Sequence, residues 1–334
     1  MEDFTGSPPF VSVFVPARNE EAVLEACLSR LLIQDYGGKF EILVADDASE
    51  DATAAIAGSM AEKNPLIRFF RISREIFPGL PGKQRALAQL AAHARGEIYL
   101  YCDADMRMPA SWISAMVQGF EKSNAELLNG STIAPDRYPV QALDWILPQI
   151  AMNLLCQLRI GYTAMGNNMG IRRKAYEDLG GFEGIPASFT EDYELFRQAD
   201  KQGFRLIHLL NERVLGQTQP SGNLVNWFSQ HLRWMRGFHE LPLLKKIPVY
   251  GNLFFLPLWI WTMAVDEAIF YQLLFPAFLA MKFLFLGFGL WKISKSNLLA
   301  WLPVYEVLYP LLYFPLLFIS LLRPQIRWKG REIK

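Results

Sequence analysis

The sequence predicts an α/β fold, a doubly wound and mostly parallel sheet, followed by C-terminal transmembrane helices. Three observations predict it. Short apolar runs alternate with helical segments between residues 11 and 102, the alternation that builds a parallel sheet. Two of those runs end in aspartates, Asp46-Asp47 and Asp103. Beyond residue 250 the charges thin out, and two apolar stretches each exceed the ~20 helical residues that cross a hydrocarbon core.

The elements follow in order. Residues 11–15 form an apolar strand that ends at Pro16. Asn19 can cap a helix that opens with Glu20 and Glu21 and runs to about Gln34. Residues 41–45 are a second strand, broken by the two aspartates, and 49–60 read as a helix. A third strand covers 68–72, a helix 82–94, and a fourth strand 98–102. In such sheets ligands bind beyond the carboxyl ends of the strands. Asp46, Asp47 and Asp103 would therefore stand where a ligand lies.

The chain has 334 residues, is 51% hydrophobic and carries no formal net charge. The apolar excess is uneven, which divides the chain into a catalytic domain over 1–245 and a membrane region over 246–334. Within the first, 138–161 is apolar around Trp145, Ile146 and Leu147, with Gln149, Asn153 and Gln157 on one stripe. That pattern suits an interfacial helix on a membrane surface and equally a buried core helix. Residues 252–267 are too short to span alone and read as interfacial or re-entrant. Residues 268–291 carry one charge, Lys282, and 298–322 carry one, Glu306; both read as transmembrane. Lys245 and Lys246 precede the apolar region and a basic tail, 323–334, follows it. Basic flanks are cytosolic, so the expected topology is multi-pass, with two crossings of the inner (cytoplasmic) membrane and the catalytic domain facing the cytosol.

Zero net charge gives no support to nucleic-acid binding. The three cysteines, Cys27, Cys102 and Cys156, have no metal-ligand spacing and read as buried thiols. The N-terminus is short and polar, without a signal-peptide core. His93, His208, His231 and His239 show no ligand spacing either, and no metal or catalytic role is assigned to them.

The acidic marks fit the transfer of a sugar from a nucleotide diphosphate. Asp47, at a strand end, can accept from a base N–H, or can serve as a helix cap near Ser49 and Asp51. The diphosphate leaving group needs neutralising, which a divalent cation on a few carboxylates achieves. Asp103-Ala104-Asp105 puts two carboxylates on one side if the segment is extended. Transfer also needs a general base. Thr190 can cap a helix running to about Gln202, with Glu191 and Asp192 in its first turn, where the helix dipole favours their ionised forms. Gln230, Arg233 and Trp234 share a helix face and offer amide, guanidinium and ring to an acceptor and diphosphate; an aromatic helix at a membrane surface shows the same residues. Lys83 begins a helix and either reaches phosphate or is solvated.

Together these marks resemble glycosyltransferase family 2. Residues 11–20 (VSVFVPARNE) look like its opening strand and turn, 45–49 (ADDAS) like its nucleotide-binding segment, and 82–87 (GKQRAL) like its Gly-Lys motif. Asp103-Ala104-Asp105 is similar to its DxD, and 166–170 and 180–182 to its acceptor-side segment. Thr190-Glu191-Asp192 and Gln230-x-x-Arg233-Trp234 are similar to a membrane-bound branch holding cellulose, chitin and hyaluronan synthases and ceramide glucosyltransferases. The resemblance covers about residues 10–240.

The resemblance implies a GT-A fold and inversion at the anomeric carbon. Asp192, beside Glu191, would be the base. Asp105 would bind Mg²⁺ or Mn²⁺ with Asp103 near the donor, a UDP-sugar carrying a hexose or N-acetylhexosamine. Pro16, Ala17, Glu20, Asp47 and Lys83 would line the donor. Gln230, Arg233 and Trp234 would hold the acceptor end and diphosphate. The polymer synthases usually have more membrane helices than this chain shows, which favours a membrane lipid acceptor over a growing polysaccharide. A silent membrane scaffold and a two-carboxylate glycoside hydrolase are the competing classes.

Overall fold

The computed structural model describes residues 7–264, 269–322, 325–328 and 331–333. The first half is built from β1 (Val11–Ala17), α1 (Leu24–Leu32), β2 (Phe40–Asp46), α2 (Thr53–Lys63), β3 (Ile67–Arg71), α3 (Gly82–His93), β4 (Ile98–Cys102) and α4 (Trp112–Ser123). Next come β5 (Leu127–Asn129), β6 (Ser131–Ile133), α5 (Pro139–Gln157), β7 (Asn168–Arg172), α6 (Arg173–Asp178), α7 (Gly181–Gly184), α8 (Glu191–Lys201), β8 (Leu206–His208) and β9 (Leu215–Gln217). The C-terminal part holds α9 (Leu224–Glu240), α10 (Leu243–Ala264), α11 (Ile269–Lys292), α12 (Leu302–Leu321) and a short hairpin, β10 (Ile326–Trp328) with β11 (Arg331–Ile333).

Seven strands form one sheet in the order β3-β2-β1-β4-β7-β5-β8. β1 pairs in parallel with β2 and β4, β2 with β3, and β5 with β8; only β7 runs against its neighbours β4 and β5. The α/β, mostly parallel expectation therefore matches. Strands β1, β2 and β4 are buried along nearly their whole length, as expected where helices cover both faces of a parallel sheet. The core beneath them gathers Val13, Val15, Leu24, Leu28, Ile42, Val44, Leu100, Trp112 and Phe120.

Several local expectations change. Asn19 caps no helix: its φ is +52° and its side chain accepts from the N–H of Glu50, so α1 begins only at Leu24. Thr190 precedes α8 without a side-chain cap, because its Oγ1 turns to Ser188 Oγ at 3.1 Å. Asp103-Ala104-Asp105 is not extended. The N–H of Met106 donates to the carbonyl of Asp103 at 3.0 Å and closes a turn, so strand alternation does not set those two carboxylates. The polar stripe of α5 turns inward at two of its three residues: Gln149 is 2% exposed and Asn153 donates to the carbonyl of His208 at 2.7 Å, while Gln157 is exposed, as are Leu154 and Leu158.

By internal contacts the chain forms two units, one of residues 1–133 and 151–219, the other of 134–150 and 220–334. The division falls inside α5. Segments 134–150 and 220–245 thus group with the C-terminal helices rather than with the sheet.

In the second unit, α10 is one 22-residue helix with Pro248 and Pro257 inside it. It begins nine residues before Asn252, so the segment expected to be short is the second half of a longer helix. Residues 265–268, which hold the expected stop at Asp266-Glu267, lie outside the described residues, as do residues 1–6 and, within the basic tail, 323, 324, 329, 330 and 334. Residues 275–292 and 296–321 are each long and apolar enough to cross a membrane. All three cysteines are buried and free.

Candidate functional site

The first turn of α3 gathers the acidic marks of the first unit. Pro81, extended, sets Gly82 at the start of the helix, and this orients the next three side chains. Lys83 Nζ lies 2.8 Å from Asp103 Oδ1, at the end of β4, and 3.0 Å from Glu191 Oε1, in the first turn of α8. Arg85, two residues on, holds Asp47 Oδ1 at 3.5 Å beyond the end of β2. Asp47, Asp103 and Glu191 are distant in sequence and meet around one helix turn. Lys83 is thus held between two carboxylates and one-third exposed.

Gln84 sits between those two cations and is fully buried. Its amide donates to the carbonyls of Phe182 and Pro186 and accepts from the N–H of Ser188. That fixes the 182–188 segment leading into α8 against α3. Asp192 follows Glu191. Its Oδ2 accepts from the N–H of Gly166 at 2.8 Å and its Oδ1 from the N–H of Tyr193.

Burial raises the Glu191 carboxyl above the ordinary carboxylate range; Lys83 opposes the rise, and Asp192 and Asp103 add to it. The expected preference of the helix dipole for ionised Glu191 is overridden, because the side chain is only 6% exposed. Burial pushes the Lys83 ammonium down, but Asp103, Glu191 and Asp192 outweigh it and raise its pKa. Lys83 is the counter-charge that lets three carboxylates share the space.

The remaining donor-side residues lie nearby in the chain's own loops. Pro16 and Ala17 end β1 beside Ala45 and Asp46 of β2. The N–H of Glu20 donates to Thr53 Oγ1 at 2.7 Å. Asp46, rather than Asp47, takes the turn-forming bond, accepting from the N–H of Ser49 at 3.2 Å. Asp105 stands half-buried in the 103–106 turn. No cluster of three or more His, Cys, Asp or Glu side chains suited to a metal occurs among the described residues. One or two carboxylates, Asp103 and Asp105, remain. That donor set suits Mg²⁺ or Mn²⁺, which is commonly held by one or two carboxylates plus substrate phosphate and water.

Gln230, Arg233 and Trp234 lie on α9, in the second unit. Gln230 Oε1 accepts from Ser221 Oγ at 2.9 Å. The Trp234 ring packs edge-on against Trp145 at 4.8 Å and against His231 at 4.6 Å. His231, with no role assigned from sequence, is a buried tie: Nε2 lies 2.8 Å from Asp144 Oδ2, and the ring stacks on Trp227 at 3.8 Å. Burial alone would raise the Asp144 carboxyl, but bonds from His231, Tyr313 and Trp227 hold it below its ordinary value.

Sequence reasoning missed Gln84, Arg85 and Asp144. Arg85 lay inside the quoted 82–87 motif, where a basic residue one turn from a Gly-Lys start was the available signal. Gln84 lay in the same motif but carries no charge to mark it, and Asp144 had no signal, since a lone polar residue in a helix reads as surface.

A mostly parallel sheet with carboxylates beyond its strand ends sets a ligand site at that edge. The chain belongs to glycosyl transferase family 21, whose profile matches residues 2–334. It is 28% identical over 251 residues to the beta-monoglucosyldiacylglycerol synthase of Trichormus variabilis, covering 72% of this chain and 51% of that one. It is 26% identical over 262 residues to an N-acetylglucosaminyltransferase of Rhizobium meliloti, covering 72% and 59%. The chain thus spans about half the length of the curated relatives it matches. A mannosyltransferase from Pyrobaculum calidifontis, solved with GDP-Man and Mn²⁺, shares the fold with a TM-score of 0.54 at 20% identity, over 92% of this chain and 88% of that one.

Proposed function

We propose that this enzyme moves a hexose or N-acetylhexosamine from a nucleotide-diphosphate sugar, preferably a UDP-sugar, to a hydroxyl of a membrane lipid with inversion. The observation that carries it is the meeting of Asp47, Asp103 and Glu191 around Lys83 and Arg85 at the start of α3. The relative named for a glucosyldiacylglycerol product supports the lipid acceptor, and the neighbour solved with GDP-Man and Mn²⁺ supports a nucleotide sugar and a divalent ion. The order of the sequence motifs supports kinship with the family 2 branch that carries Gln230-x-x-Arg233-Trp234.

Asp47 accepts from the base, with Pro16, Ala17 and Glu20 around the nucleotide. Asp103 and Asp105 would hold Mg²⁺ or Mn²⁺, which neutralises the departing diphosphate when bound. Lys83 adds a second positive charge beside Asp103. Asp192 takes the proton of the acceptor hydroxyl; its bond from the Gly166 N–H orients it. Glu191, buried and held by Lys83, positions that segment rather than accepting the proton. Gln230, Arg233 and Trp234 serve the acceptor end and diphosphate. The apolar helices hold the enzyme at the cytoplasmic membrane.

Membranes containing the enzyme, incubated with labelled nucleotide sugars, test this reading. Label should pass into the organic phase in wild type and should not in Asp192→Asn, which retains donor binding. Label retained as polymer would replace the lipid acceptor by a polysaccharide. Undiminished transfer by Asp192→Asn would remove that residue as base.

A further inference from the structure

Both ends and the middle of α12 are tied to polar elements of its own unit. Ahead of it, Lys295 Nζ lies 2.8 Å from Asp136 Oδ1, and Asn297 donates to the same carboxylate at 3.2 Å. Along it, the hydroxyls of Tyr305 and Tyr313 both donate to Asp144 Oδ1, at 3.0 and 2.7 Å. At its end, Ser320 Oγ lies 2.9 Å from His239 Nε2 of α9. The Tyr313 ring also meets Trp227 and His231 of α9 edge-on, at 5.6 and 5.7 Å.

α9 cannot cross a bilayer, since its 17 residues include Arg233, Arg236 and Glu240. A neighbour bound to it from residue 313 to residue 320, and to α5 at Asp144, shares its layer. A two-crossing topology with α12 as the second span would put the 292–297 turn across the membrane from α5 and α9. Yet Lys295 of that turn is paired with Asp136, three residues before α5 begins at Pro139. Three residues reach at most about 11 Å, far short of a ~30 Å hydrocarbon core.

The outer face of α12 is apolar. Val304, Val307, Leu311 and Phe318 follow one helical stripe and are exposed, while Leu302, Tyr305, Glu306, Pro310, Leu316 and Ser320 are buried. Exposed Trp291 and Trp301 flank its start, as aromatic residues do at a headgroup boundary. Residues 241–334 carry ten basic against four acidic side chains. Two copies of such a segment repel, whereas an anionic leaflet attracts it.

We propose that α12 lies along one face of the bilayer, its apolar stripe in an anionic leaflet, instead of crossing it. The 292–297 turn then lies on the same side as α9, and Glu306 on the buried face of α12 meets Lys282 of α11 at 2.6 Å. The proposal rests on the membrane reading above.

The full chain tests it in sealed membrane vesicles of known sidedness, with a membrane-impermeant maleimide. Ser296→Cys and Lys122→Cys should label from the same side; labelling from opposite sides would overturn the in-plane helix and leave membrane association standing. Fluorophores on Val304→Cys, Leu311→Cys and Phe318→Cys, in phosphatidylglycerol-containing vesicles, give a depth profile. All three should respond to a shallow lipid quencher. A deep Leu311 between two shallow neighbours means a crossing helix. Protection from both quenchers, with cross-linked dimers, means that a second copy covers the face. Failure to sediment with vesicles at all would sink the membrane reading and this proposal together.

Discussion

The N–H of Gly166 donates a 2.8 Å hydrogen bond to Oδ2 of Asp192, and a Cβ on that glycine would stand 3.1 Å from the same carboxylate. A side chain at this position therefore crowds the carboxylate. Gly166→Ala should shift the carboxylate by a few tenths of an ångström and lower kcat about tenfold, since misplacement of ~1 Å can cost ~10²-fold. Thermal melting should change little. Steady-state kinetics beside melting curves check this; an unchanged kcat would detach Gly166 from Asp192's placement.

Lys83→Met should leave Glu191 buried without its counter-charge. Removing one partner of a buried pair costs about 3–5 kcal/mol, and we expect about 2, because Lys83 is one-third exposed and partly screened. Lys83→Met with Glu191→Leu should recover part of that loss. Denaturant midpoints on the three proteins measure it, and additive losses in the double variant would contradict the pairing.

Asp144→Ala should loosen the second unit. It strips acceptors from Trp227, His231, Tyr305 and Tyr313 at once. A buried charge-assisted network of this kind is worth about 3 kcal/mol or more. Protease sensitivity should rise first near α12, while the 1–133 sheet segment stays protected. Uniform digestion of both units would argue against a local role.

His208 should give the fold an acid limb. The ring is 1% exposed, its Nδ1 has no hydrogen-bond partner, and burial pushes its pKa down to about 3. The folded value lies below the unfolded one. The neutral ring's contribution is thus fully present above about pH 6.5 and is lost as the pH falls toward about 3. At pH 4.5 the loss is about 2–3 kcal/mol. His208→Leu should flatten the melting temperature between pH 6.5 and 4.5; an equal slope in both proteins would exclude His208 as its source.

The long features were legible in the sequence because they are repetitive. β1, β2 and β4 show as apolar runs, and Asp47, Asp103 and Asp192 show by their place after a strand or at a helix start. What failed was short or non-local. β5, β6, β8 and β9 have three residues each, too few for any period to register. Asn19 had the right side chain for a cap and the wrong φ. The turn at Asp103 depends on one backbone bond from Met106. Gln84 acts on a segment about a hundred residues away, which no local pattern could announce. The start of α10 at Leu243 was hidden by Pro248, which reads as a helix breaker and yet lies inside the helix.

The loops after β1 and β2 are stitched to each other. Asn19 accepts from the N–H of Glu50 and its own N–H donates to Ser49, Glu20 donates to Thr53, and Glu21 both donates to Asp51 and accepts from Ala52. Neither loop can swing without the other. The rim on which Asp47 stands is therefore a hinge-free frame, and the amide protons of residues 19–21 and 50–53 should exchange with one common opening rate. A donor would meet a preset edge there, and whatever opens to admit it must belong to another part of the chain.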